Sequence, residues 1–121
     1  MAANLKEYVY SKGTNEALDA EFAAAVAFAR VKQGQEHLFW KAGFRWYYIP
    51  FAQTQRIFRR LLPVHTSLCC GGANFMMEWL VLVLPDGKEL EIYMGEDVQA
   101  KAEALLQSLK CSQPQVQFGK A

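Results

Sequence analysis

The feature that most restricts the fold is a pair of apolar segments joined by a strong turn signal. Phe75 to Leu84 is the longest predicted strand, and both of its alternating faces are apolar. This pattern is typical of a strand that is buried on both sides. Pro85-Asp86-Gly87 predicts a turn, and Lys88 to Met94 alternates as a returning strand with Leu90, Ile92 and Met94 inward. The sequence therefore predicts an antiparallel hairpin that packs against a covering element.

Other strands are predicted before this hairpin. Ala42-Gly43 turns the chain between two aromatic strands, and Pro50 ends the second of them because proline cannot donate to a ladder. The predicted segments are strands near Phe28 to Lys32, from Glu36 to Lys41, from Phe44 to Ile49 and from Gln53 to Leu62, then a loop from Pro63 to Asn74. Tyr8-Val9-Tyr10 fits either a short edge strand or a loose arm within residues 1 to 13.

Two helices are predicted, one on each side of the strand-rich region. The first runs from about Asn15 to about Ala25, with Thr14 or Asn15 as its N-cap and acidic residues in its first turns. The second starts at Gly95-Glu96-Asp97, ends by Ser112 and carries one apolar stripe, formed by Val98, Ala102, Leu105 and Leu109. The tail from Gln115 to Phe118 alternates like a short added strand.

Length and charge restrict the class of protein. With 121 residues, we expect a single domain over residues 1 to 121. A formal net charge of +1 argues against nucleic-acid binding driven by bulk charge. The sequence opens without a secretory signal and has no apolar run long enough for a membrane span. We therefore expect a cytoplasmic protein with reduced thiols.

The order of elements is a helix, mainly antiparallel strands and a final helix, which predicts an α+β, mainly β, fold. The expected architecture is a curled antiparallel sheet or open barrel, closed by the C-terminal helix and with an extra N-terminal helix. No internal repeat or low-complexity linker divides the chain.

Four segments resemble a known family. They are Glu36-His37-Leu38-Phe39-Trp40, Trp46-Tyr47-Tyr48-Ile49-Pro50, Arg56-Ile57-Phe58-Arg59-Arg60 and Pro114-Gln115-Val116-Gln117-Phe118-Gly119-Lys120. Together they resemble small bacterial proteins of unknown function with a pleckstrin-homology-like (PH-like) fold, over about residues 28 to 120. The resemblance implies a fold rather than a chemistry, because PH-like scaffolds serve for lipid, peptide and protein binding.

Basic residues form the first candidate site: Lys41, Arg45, Arg56, Arg59 and Arg60. Guanidinium and ammonium groups suit phosphate oxygens, and the resemblance implies that Lys41 and Arg45, on the first hairpin, would hold a phosphate headgroup. The simpler interpretation is a solvated strand edge with one structural ion pair. Glu78 stands among apolar neighbours, and a buried carboxylate needs a partner. Arg59 or Arg60 is predicted to supply it.

The second candidate site contains thiols. Cys69 and Cys70 are adjacent and precede two glycines, with His65 upstream and Cys111 near the end of the chain. Adjacent thiolates could bind a soft metal or form a disulfide, but zinc sites favour a Cys-x-x-Cys spacing, which is absent. The simpler interpretation is a tight loop of small residues.

The third candidate site is aromatic. Alternation puts Phe44, Trp46 and Tyr48 on one face of their strand, and Tyr47 and Ile49 on the other. If only one face is core, two or more aromatic side chains stay exposed, as at many partner surfaces. The residues assigned to this partner surface are Trp40, Trp46, Tyr47 and Tyr48.

The sequence contains no catalytic or nucleotide-binding motif that we recognise, and it predicts no cofactor. We therefore expect a non-catalytic binding or assembly module that contacts a protein partner, including a second copy of the chain. Two alternatives stay open. One is an anionic ligand or lipid headgroup bound by the basic residues, and the other is thiol or metal chemistry at Cys69 and Cys70.

Overall fold

The computed structural model describes residues 8–66 and 73–119. Their elements are β1 (Val9–Tyr10), α1 (Glu16–Ala24), β2 (Val26–Phe28), β3 (Val31–Gln33), β4 (His37–Ala42), β5 (Arg45–Pro50), β6 (Arg56–Thr66), β7 (Ala73–Val83), β8 (Glu89–Glu96), α2 (Gln99–Ser112) and β9 (Gln117–Phe118). A short 3-10 turn, Phe51–Gln53, joins β5 to the segment before β6. Neither helix in these ranges combines the length and apolarity that crossing a membrane requires.

The strands form two open sheets. The first has the order β1-β5-β4-β3-β2 and the second has the order β8-β7-β6-β9. Neighbouring strands are antiparallel, except that β9 runs parallel to β6. Over the described residues neither sheet closes into a barrel. The predicted α+β, mainly β, class is confirmed, but the strands form two hydrogen-bonded sheets where one curled sheet was expected.

The main core is built from both sheets and α2. It includes Leu38, Trp40 and Ile49 from the first sheet, Ile57, Leu80, Leu82, Leu90, Ile92 and Met94 from the second, and Ala102, Leu105 and Leu109 from α2. The side chains predicted to face inward on β8 are each about 1% exposed, so that prediction is confirmed. Each fully buried large apolar side chain stabilises the fold by roughly 1.5–3 kcal/mol.

A side-chain hydrogen bond caps the start of α1, whereas Val98, the residue before α2, makes no side-chain cap. Asn15 caps α1, because its side-chain oxygen accepts a hydrogen bond from the Leu18 N–H at 3.1 Å. Of the two predicted caps, Thr14 and Asn15, the structure uses Asn15. α2 begins later than predicted, at Gln99, because β8 continues to Glu96. At this junction the Asp97 carboxylate accepts from the Met76 N–H at 3.0 Å, and the Asp97 N–H donates to the Met76 carbonyl at 2.8 Å.

The strand predicted from Phe28 to Lys32 is wrong, since this region is a hairpin of β2 and β3. Ala29 has a φ of 56°, in the left-handed region that turns the chain. Residues other than glycine rarely adopt this conformation, so the sequence carries no ordinary signal for the turn. Arg30 consequently lies at the tip of a hairpin rather than within a strand.

The loop predicted from Pro63 to Asn74 is wrong at both ends, because β6 continues to Thr66 and β7 begins at Ala73, and its middle lies outside the described residues. The Gly119 N–H donates to the Ile57 carbonyl at 3.0 Å, which shows that the backbone groups of Ile57 point toward the β9 edge. Backbone direction alternates along a strand, so Pro63 points the same way, away from β7. Its missing N–H therefore removes nothing from the β6–β7 ladder, where Pro63 lies opposite Met76.

Residues 9 and 10 form an edge strand, which is one of the two predicted alternatives. Tyr10 lies opposite Trp46 of β5, and its hydroxyl donates to Asp19 Oδ1 of α1 at 2.5 Å. Burial, and then the hydrogen bond to Asp19, raise the pKa of Tyr10 to about 12. This strand therefore fastens α1 to the first sheet through a tyrosine that keeps its proton.

We expect Tyr10 to make the protein less stable as the pH rises above about 10, the pKa of an unfolded tyrosine. Between that value and the folded pKa of about 12, the unfolded chain has lost a proton that the folded chain still holds. Unfolding then releases a proton, so its free energy falls with rising pH. Urea unfolding of the wild type and Tyr10→Phe from about pH 9 to 11 tests this. The advantage of the wild type should shrink, and a constant difference would contradict the assignment.

Candidate functional site

Helix α1 covers the face of the first sheet that points away from the main core. Tyr10, Leu18 and Phe39 are buried there as a second, smaller cluster. The ring of Phe22, on α1, lies 5.1 Å from that of Phe39 and 5.0 Å from that of Trp46, between centroids. Both faces of this sheet are thus covered, one by α1 and the other by the main core.

Of the four residues predicted to form an aromatic partner surface, Trp40 is buried, so its assignment is wrong. The other three are only partly exposed. Trp40 is 2% exposed and stacks with Tyr47 at a centroid distance of 5.7 Å. Trp46 and Tyr48 are half-buried against the smaller cluster. Alternation identified the two faces of β5 correctly but could not show that a helix covers the second one. Phe44, at the β4–β5 turn, is fully exposed.

Arg59 acts as the partner of the buried Glu78. Its Nη2 donates to Oε1 of Glu78 at 2.7 Å and its Nε to Oε2 at 3.3 Å. The side chain of Glu78 is 0% exposed, whereas that of Arg59 keeps 22% of its surface in solvent. The predicted need for a partner is confirmed, and of the two candidates Arg59 supplies it. This arginine is therefore not free to bind a ligand.

Arg56 and Arg60 also have partners within the fold. Arg60 lies on the opposite face of β6 and pairs with Glu91 at 2.5 Å and with Glu89 at 3.7 Å. Arg56 donates to the Gly119 carbonyl and to the Gln117 side chain, which holds β9 against β6. Together with Arg59, these residues make internal contacts rather than a binding surface.

Lys41 and Arg45 lie at the two sides of the β4–β5 turn, as predicted, but on opposite faces of the hairpin. Lys41 is opposite Trp46, and Arg45 is opposite Ala42. Directly opposed residues share a face and neighbours alternate, so the two basic side chains leave the sheet in opposite directions. The structure does not bring the five predicted basic residues together.

Lys41 instead meets a basic residue that the sequence reasoning missed. The β2–β3 turn lies beside the β4–β5 turn, and the Lys41 N–H donates to the Arg30 carbonyl at 3.1 Å. A depression of about 350 Å³ opens there, lined by Ala29, Arg30, Lys41, Gly43 and Trp46. We call it the basic corner. Arg30 was missed because the β2–β3 hairpin was interpreted as one strand.

The basic corner carries positive charge and no lining carboxylate among the described residues. The Arg30 guanidinium lies 5.2 Å from the ring centroid of Tyr93, and Lys32 Nζ lies 5.5 Å from that of Trp46. In the described ranges neither Arg30 nor Lys41 forms an ion pair. Gly43 has a φ of 65° and open space where a Cβ would stand. The arrangement suits an anion that approaches the turn backbone.

A second cluster lies where α1 meets the connection between β3 and β4. Glu21 Oε2 accepts from the Glu36 N–H at 2.9 Å and from the His37 N–H at 2.7 Å, and Oε1 contacts His37 Nδ1 at 2.8 Å. Gly34 passes so close that an added Cβ would lie 2.9 Å from Cδ of Glu21. The carboxylate thus attaches α1 to the first sheet.

The same cluster offers three ligands to a metal, two carboxylates and one imidazole. One atom each of Glu21, Glu36 and His37 lies within 4.8 Å of the others. Both oxygens of Glu21 already accept or share hydrogen bonds, so a metal ion would have to replace the contacts that hold α1. We interpret the cluster as an attachment of the helix.

The thiol hypothesis stays a prediction. Cys69 and Cys70 lie outside the described residues, and Cys111 is an exposed free thiol near the end of α2. Comparison of the chain with protein-family models, with curated proteins and with solved structures gives no match.

Proposed function

We propose that the protein is a non-catalytic binding module that takes an anionic, phosphate-bearing ligand at the basic corner. The observation that carries this proposal is the hydrogen bond of 3.1 Å from the Lys41 N–H to the Arg30 carbonyl, which fixes the two turns side by side. Two cations that are distant in sequence thereby line one depression.

The two cations of the corner favour a phosphate-bearing ligand over an apolar one. Arg30 presents a planar guanidinium that can donate to two oxygens at once, and Lys41 adds a compact ammonium. The Arg30 guanidinium lies over the ring of Tyr93, in a neighbouring depression that Glu91 also lines, so it would turn from Tyr93 toward the corner to bind the ligand. A net charge of +1 gives little long-range attraction, so the affinity would come from these local contacts.

The arrangement of strands supports a PH-like scaffold for this proposal. The strands β2 to β5 follow one another in the first sheet, β6 to β8 do so in the second, and α2 follows them. This order is similar to the PH-like fold that the sequence resembles, with β1 and α1 as additions. We also propose a reducing, cytoplasmic setting, which suits the free thiol of Cys111.

The test is isothermal titration with inositol trisphosphate and with pyrophosphate, and co-sedimentation with vesicles that carry phosphatidylinositol bisphosphate. We expect Arg30→Ala and Lys41→Ala each to weaken phosphate binding by about tenfold, because each removes a charge-assisted hydrogen bond. Higher salt should weaken it further. Arg45→Ala is the matched control, since Arg45 leaves the same hairpin on its other face.

Each result has a distinct meaning. If Arg45→Ala weakens phosphate binding as much as Arg30→Ala and Lys41→Ala do, then nonspecific charge, rather than the corner, binds the probe. Binding of the soluble phosphates without vesicle binding would assign a free phosphate ligand, and vesicle binding that depends on Lys41 would assign a headgroup. Absence of binding to all three probes would overturn the proposal.

A protein partner or a second copy is the alternative function, and the end of the second sheet favours it. β8 ends opposite Met77, while β6 and β7 continue together to Thr66 and Ala73. Leu61 and Leu62 on this ribbon are 42% and 51% exposed. Leu62→Ser should then lower the average mass measured by light scattering at high protein concentration. If the wild type and Leu62→Ser both have the mass of a monomer, the chain does not self-associate through this ribbon.

A further inference from the structure

A cleft of about 730 Å³ lies between α1 and the C-terminal end of α2. This volume falls within the range of small-molecule sites. Its apolar walls are the small side chains of Ala17, Ala20 and Ala24, together with Val26. Val26 is 58% exposed there, although valine is normally buried. The cleft is therefore an open apolar surface that the fold itself leaves uncovered among the described residues.

The charges around this cleft have one sign. Glu21 and Glu36 both line it, and no lysine or arginine does so among the described residues. The carboxylate of Glu21 is engaged with the backbone N–H groups of Glu36 and His37. The Glu36 side chain is exposed and forms no ion pair in the described part of the chain. A cation in the cleft would thus meet an unpaired carboxylate.

Gln33, which lines the cleft, has a side-chain oxygen that accepts no hydrogen bond. The Ser112 hydroxyl donates to the Ser108 carbonyl at 3.0 Å, so its oxygen is left to accept. Gln33 Nε2 donates to that oxygen at 2.9 Å, which fixes the orientation of the amide. Gln33 Oε1 is then buried without a hydrogen-bond partner. A ligand that carries N–H donors would reach this oxygen once the Gln33 amide gives up its hydrogen bond to Ser112 and turns toward the cleft.

We propose that the cleft binds an aliphatic primary amine in its protonated form. The ammonium group donates to the Glu36 carboxylate and to Gln33 Oε1, and the aliphatic chain lies on Ala20, Ala24 and Val26. This ligand is opposite in charge to that of the basic corner, and the two depressions share no lining residue. The proposal stands whether or not the basic corner binds phosphate.

The test is an NMR titration of the ¹⁵N-labelled full chain with hexylamine hydrochloride, with hexanoate and hexanol as probes of matched length. We expect hexylamine alone to shift the amide signals of residues 17–26, 33–36 and 108–112. Glu36→Gln should weaken its binding by about tenfold, because a charge-assisted hydrogen bond is lost. Glu103→Gln, an exposed acidic residue of α2 outside the cleft, is the control and should bind as the wild type does.

Ala24→Met provides a second variant, because its side chain would fill the apolar part of the cleft while leaving both carboxylates in place. It should abolish the hexylamine shifts. Equal shifts with hexanoate or hexanol, unchanged binding by Glu36→Gln, or no shifts in the cleft would overturn the proposal. The proposal would also be overturned if zinc chloride, and not hexylamine, shifted the signals of Glu21, Glu36 and His37. That result would assign a metal site.

Discussion

Arg59→Met is expected to lower the free energy of unfolding by about 3–5 kcal/mol, the usual cost of leaving a buried charge without its partner. The carboxylate of Glu78 is 0% exposed, and Arg59 holds it through contacts of 2.7 and 3.3 Å. Methionine keeps most of the apolar length of arginine, so the variant removes the charge with little loss of packing. Urea unfolding, followed by circular dichroism, measures the change.

Arg60→Met is the matched control. Arg60 is the next residue on β6, and its side chain and those of its partners Glu89 and Glu91 are each about 40% exposed. An exposed pair contributes about 0–1 kcal/mol, so this variant should be nearly as stable as the wild type. Glu78→Gln, placed in Arg59→Met, should restore part of the loss because no buried charge remains. Equal costs for Arg59→Met and Arg60→Met would contradict the assignment.

Gly34→Ala is expected to lower the free energy of unfolding by about 1–3 kcal/mol, as for other overpacked positions. The φ of Gly34 is not in the left-handed region, so the cost comes from space. The new Cβ would lie 2.8 Å from Cγ of Glu21. Since three hydrogen bonds fix the Glu21 carboxylate, it cannot move aside without releasing α1. Thermal or urea unfolding gives the size of the effect.

A double-mutant cycle separates this explanation from a general effect of alanine at that position. In Glu21→Ala the carboxylate is absent, so adding Gly34→Ala should cost little further stability. Gly87→Ala, at a turn with a φ of 88° and open space around it, tests backbone strain without crowding. If Gly34→Ala costs as much in the Glu21→Ala protein as in the wild type, the crowding explanation fails.

The periodic parts of the fold could be predicted from the sequence because burial dictates their pattern. The inward face of β8, the cap at Asn15 and the stripe on α2 each depend on residues that are close in sequence. The β2–β3 hairpin could not be predicted, since its turn is made by Ala29 in a conformation that alanine seldom adopts. β6 can continue through Pro63 because the backbone of this residue points away from β7. The side on which β7 pairs is set by the whole sheet and not by the local sequence.

The candidate sites were harder to predict than the elements. The requirement of Glu78 for an arginine followed from its apolar neighbours, because an unpaired buried charge is costly wherever it lies. The basic corner did not follow, since Arg30 and Lys41 come together only through the packing of two turns. Trp46 and Tyr48 were predicted to be exposed because alternation does not reveal which element covers a face, and here α1 does so.

The division of the apolar side chains into a main core and a smaller cluster under α1 gives the molecule two units of unequal cooperativity. Helix α1 is held by the smaller cluster, by Tyr10 and by the Glu21 carboxylate, whereas α2 and β7 belong to the main core. Subglobal opening can therefore release α1 while the two sheets stay packed. The amides of α1 should consequently exchange with deuterium well before those of β7, and transient release of the helix would uncover an aromatic surface without unfolding the protein.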